Sequence, residues 1–150
     1  MKNNEADVRH KVCRFWKGMV INMELYIGGY AQGKLKYVMQ MHSREEMEVI
    51  DGNTVCAFDN PTDKRVVFNH FHSLIKKLLE QGEKPEQELE LFLKEHQNCI
   101  IISDEVGNGI VPMEQKERDY RERLGRILII LAAKAERVER VICGIGQRIK

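Results

Sequence analysis

The stretch Glu24-Leu25-Tyr26-Ile27-Gly28-Gly29-Tyr30-Ala31-Gln32-Gly33-Lys34-Leu35 decides how the rest of the chain is read. Glu24–Ile27 has the make-up of a strand, it runs straight into two glycines, and the segment from Lys34 to Met41 reads as a short helix. Gly28 to Lys34 fits GxxxxGK in the strand, loop and helix setting that a phosphate-binding loop requires. The chemistry behind that pattern is direct. Glycines let the backbone curl until successive N–H groups face a phosphate, the helix N-terminus adds its dipole, and the lysine adds a full charge. By this reading Gly28, Gly29, Gly33 and Lys34 bind nucleotide. The position that would offer a hydroxyl to Mg²⁺ is Leu35, which weakens the metal side of the site more than the phosphate side. An ordinary Gly-rich turn between strand and helix is the alternative.

Working outward, the chain alternates strand and helix. Met47–Ile50 is a candidate strand closed by the turn residues Asp51-Gly52-Asn53, and Val55–Phe58 is either a strand or a loop. From Asp63 to Glu80, Val67, Phe71, Leu74, Ile75 and Leu78 recur at steps of three and four, which predicts one helix with an apolar face. Pro85 opens a second helix that runs to about Glu95. Cys99-Ile100-Ile101-Ile102-Ser103, ending in Asp104-Glu105, has the continuous apolar character of a parallel strand buried on both faces. A long helix over about Glu114–Glu136 follows, with Tyr120, Leu124, Ile127, Leu131 and Ala135 inward, and then a last strand, Val138–Cys143. This order predicts an α/β fold, a mostly parallel sheet flanked by helices, with ligands at the carboxyl ends of the strands.

The 150 residues and three prolines suit a single α/β domain over residues 23–150 behind an N-terminal extension, residues 1–22, with Met23 as an alternative start. Lys plus Arg number 24 against 23 Asp plus Glu, so there is no broad positive field for a nucleic-acid backbone. Cys13, Cys56, Cys99 and Cys143 form no CxxC pair and read as reduced, mostly buried thiols. Neither a signal peptide nor a segment long enough to span a bilayer is visible, so a cytoplasmic protein is expected.

Ile100–Glu105 is the second element able to carry chemistry: an apolar strand ending in two acids, of which Asp104 or Glu105 would serve a metal shell or a water. His42, His70 and His72 have the chemistry for acid–base or nucleophilic roles, against a simpler reading of His70 and His72 as boundary residues of their helix. Arg118, Arg121, Arg123 and Arg126 alternate with Glu117, Asp119 and Glu122, as on a salt-bridged solvated face. The apolar run Ile127–Ala133 covers more than one side of its helix and predicts burial on two sides, in the core and at a subunit interface.

The last third, Asp104-Glu105-Val106-Gly107-Asn108-Gly109-Ile110-Val111-Pro112 with Arg118, Tyr120-Arg121, Gly125-Arg126, Gly144-Ile145 and Lys150, closely resembles the adenosylcobinamide kinase/adenosylcobinamide-phosphate guanylyltransferase family. The likeness is strong over about Ile100–Lys150 and looser over Glu24–Lys34, where the family carries GGxxSGKS. It implies a P-loop, RecA-like fold, a homotrimer, and work in cobalamin biosynthesis: phosphorylation of adenosylcobinamide with GTP or ATP and Mg²⁺, then transfer of GMP through a covalent histidine. On that resemblance Gly28, Gly29, Gly33 and Lys34 hold the nucleotide and Glu105 sits at the strand end beside them as a catalytic candidate; His72, which the family pattern does not match, is a second catalytic candidate, and Asp104 at the strand end is a metal candidate. Leu35 departs from the pattern, and the stretch between the loop and Asp104 is short, with no match for the helix that carries the guanylylated histidine. The second reading is therefore a catalytically degenerate partner or regulatory subunit that binds nucleotide or a corrinoid.

Overall fold

The computed structural model describes residues 21–107 and 109–150. The expected N-terminal extension thus lies outside the described residues apart from Ile21 and Asn22, as does Asn108. Ile21 and Met23 are both buried in the main core, so the packed unit draws on the chain just before its first strand.

Six strands form one sheet in the order β2 (Met47–Asp51), β3 (Arg65–Asn69), β4 (Ile100–Asp104), β1 (Glu24–Gly28), β5 (Arg137–Ile142), β6 (Ile145–Arg148). The first five run parallel and β6 returns antiparallel on β5. The strand reading of Ile100–Ser103 follows from burial: Ile100, Ile101 and Ile102 are wholly inaccessible, as a run apolar on both faces requires. Successive residues alternate between two cores. Ile101, Val66 and Phe68 face a large cluster beneath α2 (Phe71–Glu80), α3 (Pro85–Glu95) and α4 (Gln115–Lys134), while Ile100, Ile102 and Val67 face a smaller one beneath α1 (Lys34–Met41). In α4, Tyr120, Leu124, Ile127 and Leu131 are buried, with Ala135 just beyond its end, as their spacing predicts.

Several expectations are corrected. The helix expected over Asp63–Glu80 begins only at Phe71, because Arg65–Asn69 is β3. Val66-Val67-Phe68 is a short β-branched and aromatic run buried on both faces, which a stripe at steps of three and four cannot distinguish from a helix. His70, at φ 51°, ψ 42°, makes the break between strand and helix. Val55–Phe58 is loop, anchored by Phe58, whose ring packs 5.3 Å, 5.9 Å and 5.6 Å from those of Phe68, Phe71 and Phe92. The last strand is followed by β6. Cys99 is buried, which pushes its thiol up to about 12, whereas Cys56 and Cys143 are exposed in loop and turn. Within Ile127–Ala133 one side is core, Leu128, Ile130 and Ala132 are half-buried against it, and Ile129 is 71% exposed. No helix among the described residues is long and apolar enough to cross a membrane.

Candidate functional site

All five parallel strands end on one edge of the sheet, where Asp51, Asn69 and Asp104 stand at strand ends. Gly28 of β1 stands in register with Asp104 of β4, and Asp51 of β2 with Asn69 of β3. The chain leaves β1 through Gly28, where a Cβ would collide with the carbonyl oxygen of Val141 on the neighbouring strand, so the close approach of β5 requires glycine there. Ala31 and Gly33 then adopt left-handed conformations, φ 53° and 77°, which curl the loop before α1. The turn is tied to β5–β6: the side-chain oxygen of Gln32 accepts from the Cys143 N–H at 2.8 Å, and its carbonyl accepts from the Gly144 N–H at 2.8 Å. No acidic residue occupies the first turn of α1 and no side chain caps it, so its amides and dipole are directed at the loop.

The loop opens on a cavity of about 340 Å³ lined by residues 30–36, Asn69, His70, Ile102 and Asp104. Lys34 is its buried charge. Nζ donates to the Gly29 carbonyl at 2.6 Å and stands 2.6 Å from Asp104 Oδ1, with Lys34 8% and Asp104 14% exposed. Lys36 is a second cation on the wall. Asp104 is fixed in turn by His72, whose Nδ1 accepts the Asp104 N–H at 3.1 Å and whose Nε2 lies 3.5 Å from Oδ2. Burial lowers the His72 pKa, against the pull of Asp104. His70, also on the wall, has Nδ1 2.9 Å from Asp51 Oδ1.

The residues singled out in the sequence divide accordingly. Gly33, Lys34 and Asp104 meet at the cavity, and Gly28 and Gly29 shape the loop and offer carbonyls to Lys34. Glu105 does not line it: its N–H donates to the Gly28 carbonyl at 2.8 Å, and its carboxylate receives Arg140 Nε at 2.8 Å and Nη2 at 3.0 Å. His72 stands behind Asp104 rather than on the wall. His42 is remote, between Glu24 and Glu45 beside Arg65, at the opposite ends of the strands. Sequence reasoning left out the contributions of Asn69 and Asp51, although Asp51-Gly52-Asn53 at a strand end was the available signal.

A family model described as cobinamide kinase / cobinamide phosphate guanyltransferase matches residues 59–149. The chain belongs to this family. The match reaches well upstream of the Asp104–Pro112 block and takes in β3, α2, α3, β4, α4, β5 and β6, so the P-loop-like α/β architecture is the family's. Among similar proteins, the bifunctional adenosylcobalamin biosynthesis protein CobU of Salmonella typhimurium is 36% identical over 69 residues, covering 43% of this chain and 38% of that protein. Its Escherichia coli counterpart of the same name is 37% identical over 67 residues, covering 42% and 37%. The aligned part thus spans well under half the length of these curated relatives.

Proposed function

We propose that this member of the cobinamide kinase family binds a nucleoside triphosphate at Gly28–Lys34 and transfers its terminal phosphoryl group to the hydroxyl of adenosylcobinamide, as a step of cobalamin biosynthesis. The observation that carries the reading is the buried Lys34–Asp104 pair at 2.6 Å, at the mouth of a loop curled onto a helix N-terminus. An entering phosphate would exchange Asp104 for itself as the partner of Lys34 Nζ, with loop amides and Lys36 completing the contacts. Gly33 and Lys34 are the binding positions, Gly28 and Gly29 give the loop its path, and His72 positions Asp104. Glu105 braces the strand end through Arg140 rather than meeting substrate.

Magnesium suits the site only as an ion carried by the nucleotide. Among the described residues no group of three or more His, Cys, Asp or Glu is gathered for a metal, Leu35 is apolar, and Asp104 is the one carboxylate on the cavity wall. Such an ion would neutralise phosphate charge and keep most of its waters.

Leu35 favours a second reading, a nucleotide-binding partner or regulatory subunit without turnover. Incubation with adenosylcobinamide, ATP or GTP, and Mg²⁺ separates the two. The kinase reading expects a phosphorylated corrinoid and nucleoside diphosphate in equal amounts, whereas thermal stabilisation by nucleotide with no product supports the second.

A further inference from the structure

His70 lines the cavity and Asp51 holds its imidazole from behind, an arrangement that phosphate binding leaves unexplained. His70 is in the left-handed region at φ 51°, ψ 42°, a conformation costly for a side chain of this kind and concentrated at functional sites. It is held there on several sides. A Cβ at Gly52 would collide with the His70 carbonyl oxygen, so glycine admits that backbone, and the Gly52 N–H donates to the Asn69 carbonyl at 2.8 Å. Lys77 Nζ clasps the carbonyls of Gly52, Asn53 and Val55 at 3.0 Å, 2.5 Å and 3.1 Å, fixing the turn that carries Asp51. The Asn53 N–H donates to the same Asp51 oxygen at 2.8 Å, which orients the carboxylate. Burial raises the Asp51 pKa, but the bonds from Asn53 and His70 outweigh it and hold the group below its usual value.

The imidazole is therefore oriented by the Asp51 carboxylate on Nδ1, while the residue lines the cavity beside Lys34 and Asp104. Among the described residues nothing bonds Nε2. A histidine whose Nδ1–H is held by a carboxylate presents a basic Nε2, which is the state needed to take a proton.

We propose that His70 is the general base for the acceptor hydroxyl and that Asp51 is its positioning residue. This inference rests on the kinase reading above. As the acceptor oxygen forms its bond to the terminal phosphorus, the hydroxyl proton passes to His70 Nε2. The bond from that phosphorus to the bridging oxygen breaks, its electron pair leaves with the nucleoside diphosphate, and the resulting His70 imidazolium keeps its Nδ1–H, donated to the Asp51 carboxylate. The acceptor thus enters along β3 and β2, beside the phosphate loop. The groups facing His70 are Asp51 from β2, His72 from α2 with its ring centroid 5.9 Å away, and Lys34 and Asp104 on the cavity wall.

The test compares the full chain with His70→Asn, chosen because asparagine tolerates the left-handed backbone, and with Asp51→Asn. With ATP, Mg²⁺ and adenosylcobinamide, His70→Asn should lower kcat roughly a hundredfold, leave KM for ATP within about twofold, and remove the acid limb of the kcat profile against pH. Asp51→Asn should lower kcat less and displace that limb. Long-range ¹⁵N spectra of the resting protein should find neutral His70 protonated on Nδ1, and a proton on Nε2 would overturn the assignment. Wild-type turnover in His70→Asn overturns the base while the kinase reading stands. A wild-type protein that binds ATP yet transfers nothing overturns both.

Discussion

Lys34 is held by a carbonyl and a carboxylate that a phosphate would replace, so its removal acts on binding before it acts on chemistry. A charged hydrogen bond of about 1.5–3 kcal/mol makes Lys34→Ala roughly ten- to hundredfold weaker for ATP or GTP. Leu35→Ser returns a hydroxyl to the position beside the lysine and should make nucleotide affinity respond to Mg²⁺ more strongly than in the wild type, as read by calorimetry with and without the metal. An equal response in both proteins would count against a phosphate-and-metal reading of the loop. The loop itself was legible because glycine spacing and the lysine specify it locally. The choice between Asp104 and Glu105 was legible in principle. Alternation along β4 puts 100, 102 and 104 on one face, and Ile102 and Asp104 do line the cavity. His72 was beyond such reasoning, because its position behind Asp104 depends on where α2 begins, and that start was obscured by a strand with helical-looking spacing.

Individual strands and helices carry two further predictions. Gly28→Ala sets a Cβ against the Val141 carbonyl, a backbone group that cannot turn aside as a flexible side chain would. Urea denaturation should show a loss of about 1–3 kcal/mol, together with weaker nucleotide binding, because the strand end delivers the loop. At the other ends of the strands, Glu24 accepts from Tyr26 Oη at 2.5 Å and Arg65 Nη2 at 2.7 Å, with His42 Nε2 at 3.2 Å. Burial raises the Glu24 pKa, but these bonds and charges outweigh it and leave it below its usual 4.5. A folded-state value below the unfolded one contributes stability that is present above that unfolded value and lost as the pH falls through the folded one. Glu24→Gln should therefore flatten the decline of Tm as the pH falls below the usual carboxylate value of 4.5, and an unchanged decline would show that the cluster adds nothing. Strand β4 and the interior of α4 were readable because uniform apolarity and a long regular stripe each have one solution. β3 and β6 were not: the apolar residues of one also fit a stripe at steps of three and four with the helix after it, and the other, Ile145–Arg148, is held to β5 by backbone pairing while three of its four residues are exposed.

For the whole molecule, one sheet edge brings together residues scattered from 28 to 104, and no local pattern could have announced that meeting. The family match over residues 59–149 covers the sheet and helices downstream but not the loop of Gly28–Lys34, so the nucleotide reading stands on the geometry of that loop. Ile129, 71% exposed on α4 between half-buried Leu128 and Ile130, is the place where we expect copies of the chain to associate. Light scattering at micromolar concentration should find an oligomer that Ile129→Glu dissociates, and a wild-type monomer would contradict it. The most direct test of the central claim is calorimetric titration of the full chain with ATP and GTP, in parallel with Lys34→Ala. Saturable binding is expected, one nucleotide per chain, weakened at least roughly tenfold in the variant; no binding, or equal affinity in both proteins, would overturn the phosphate-loop assignment.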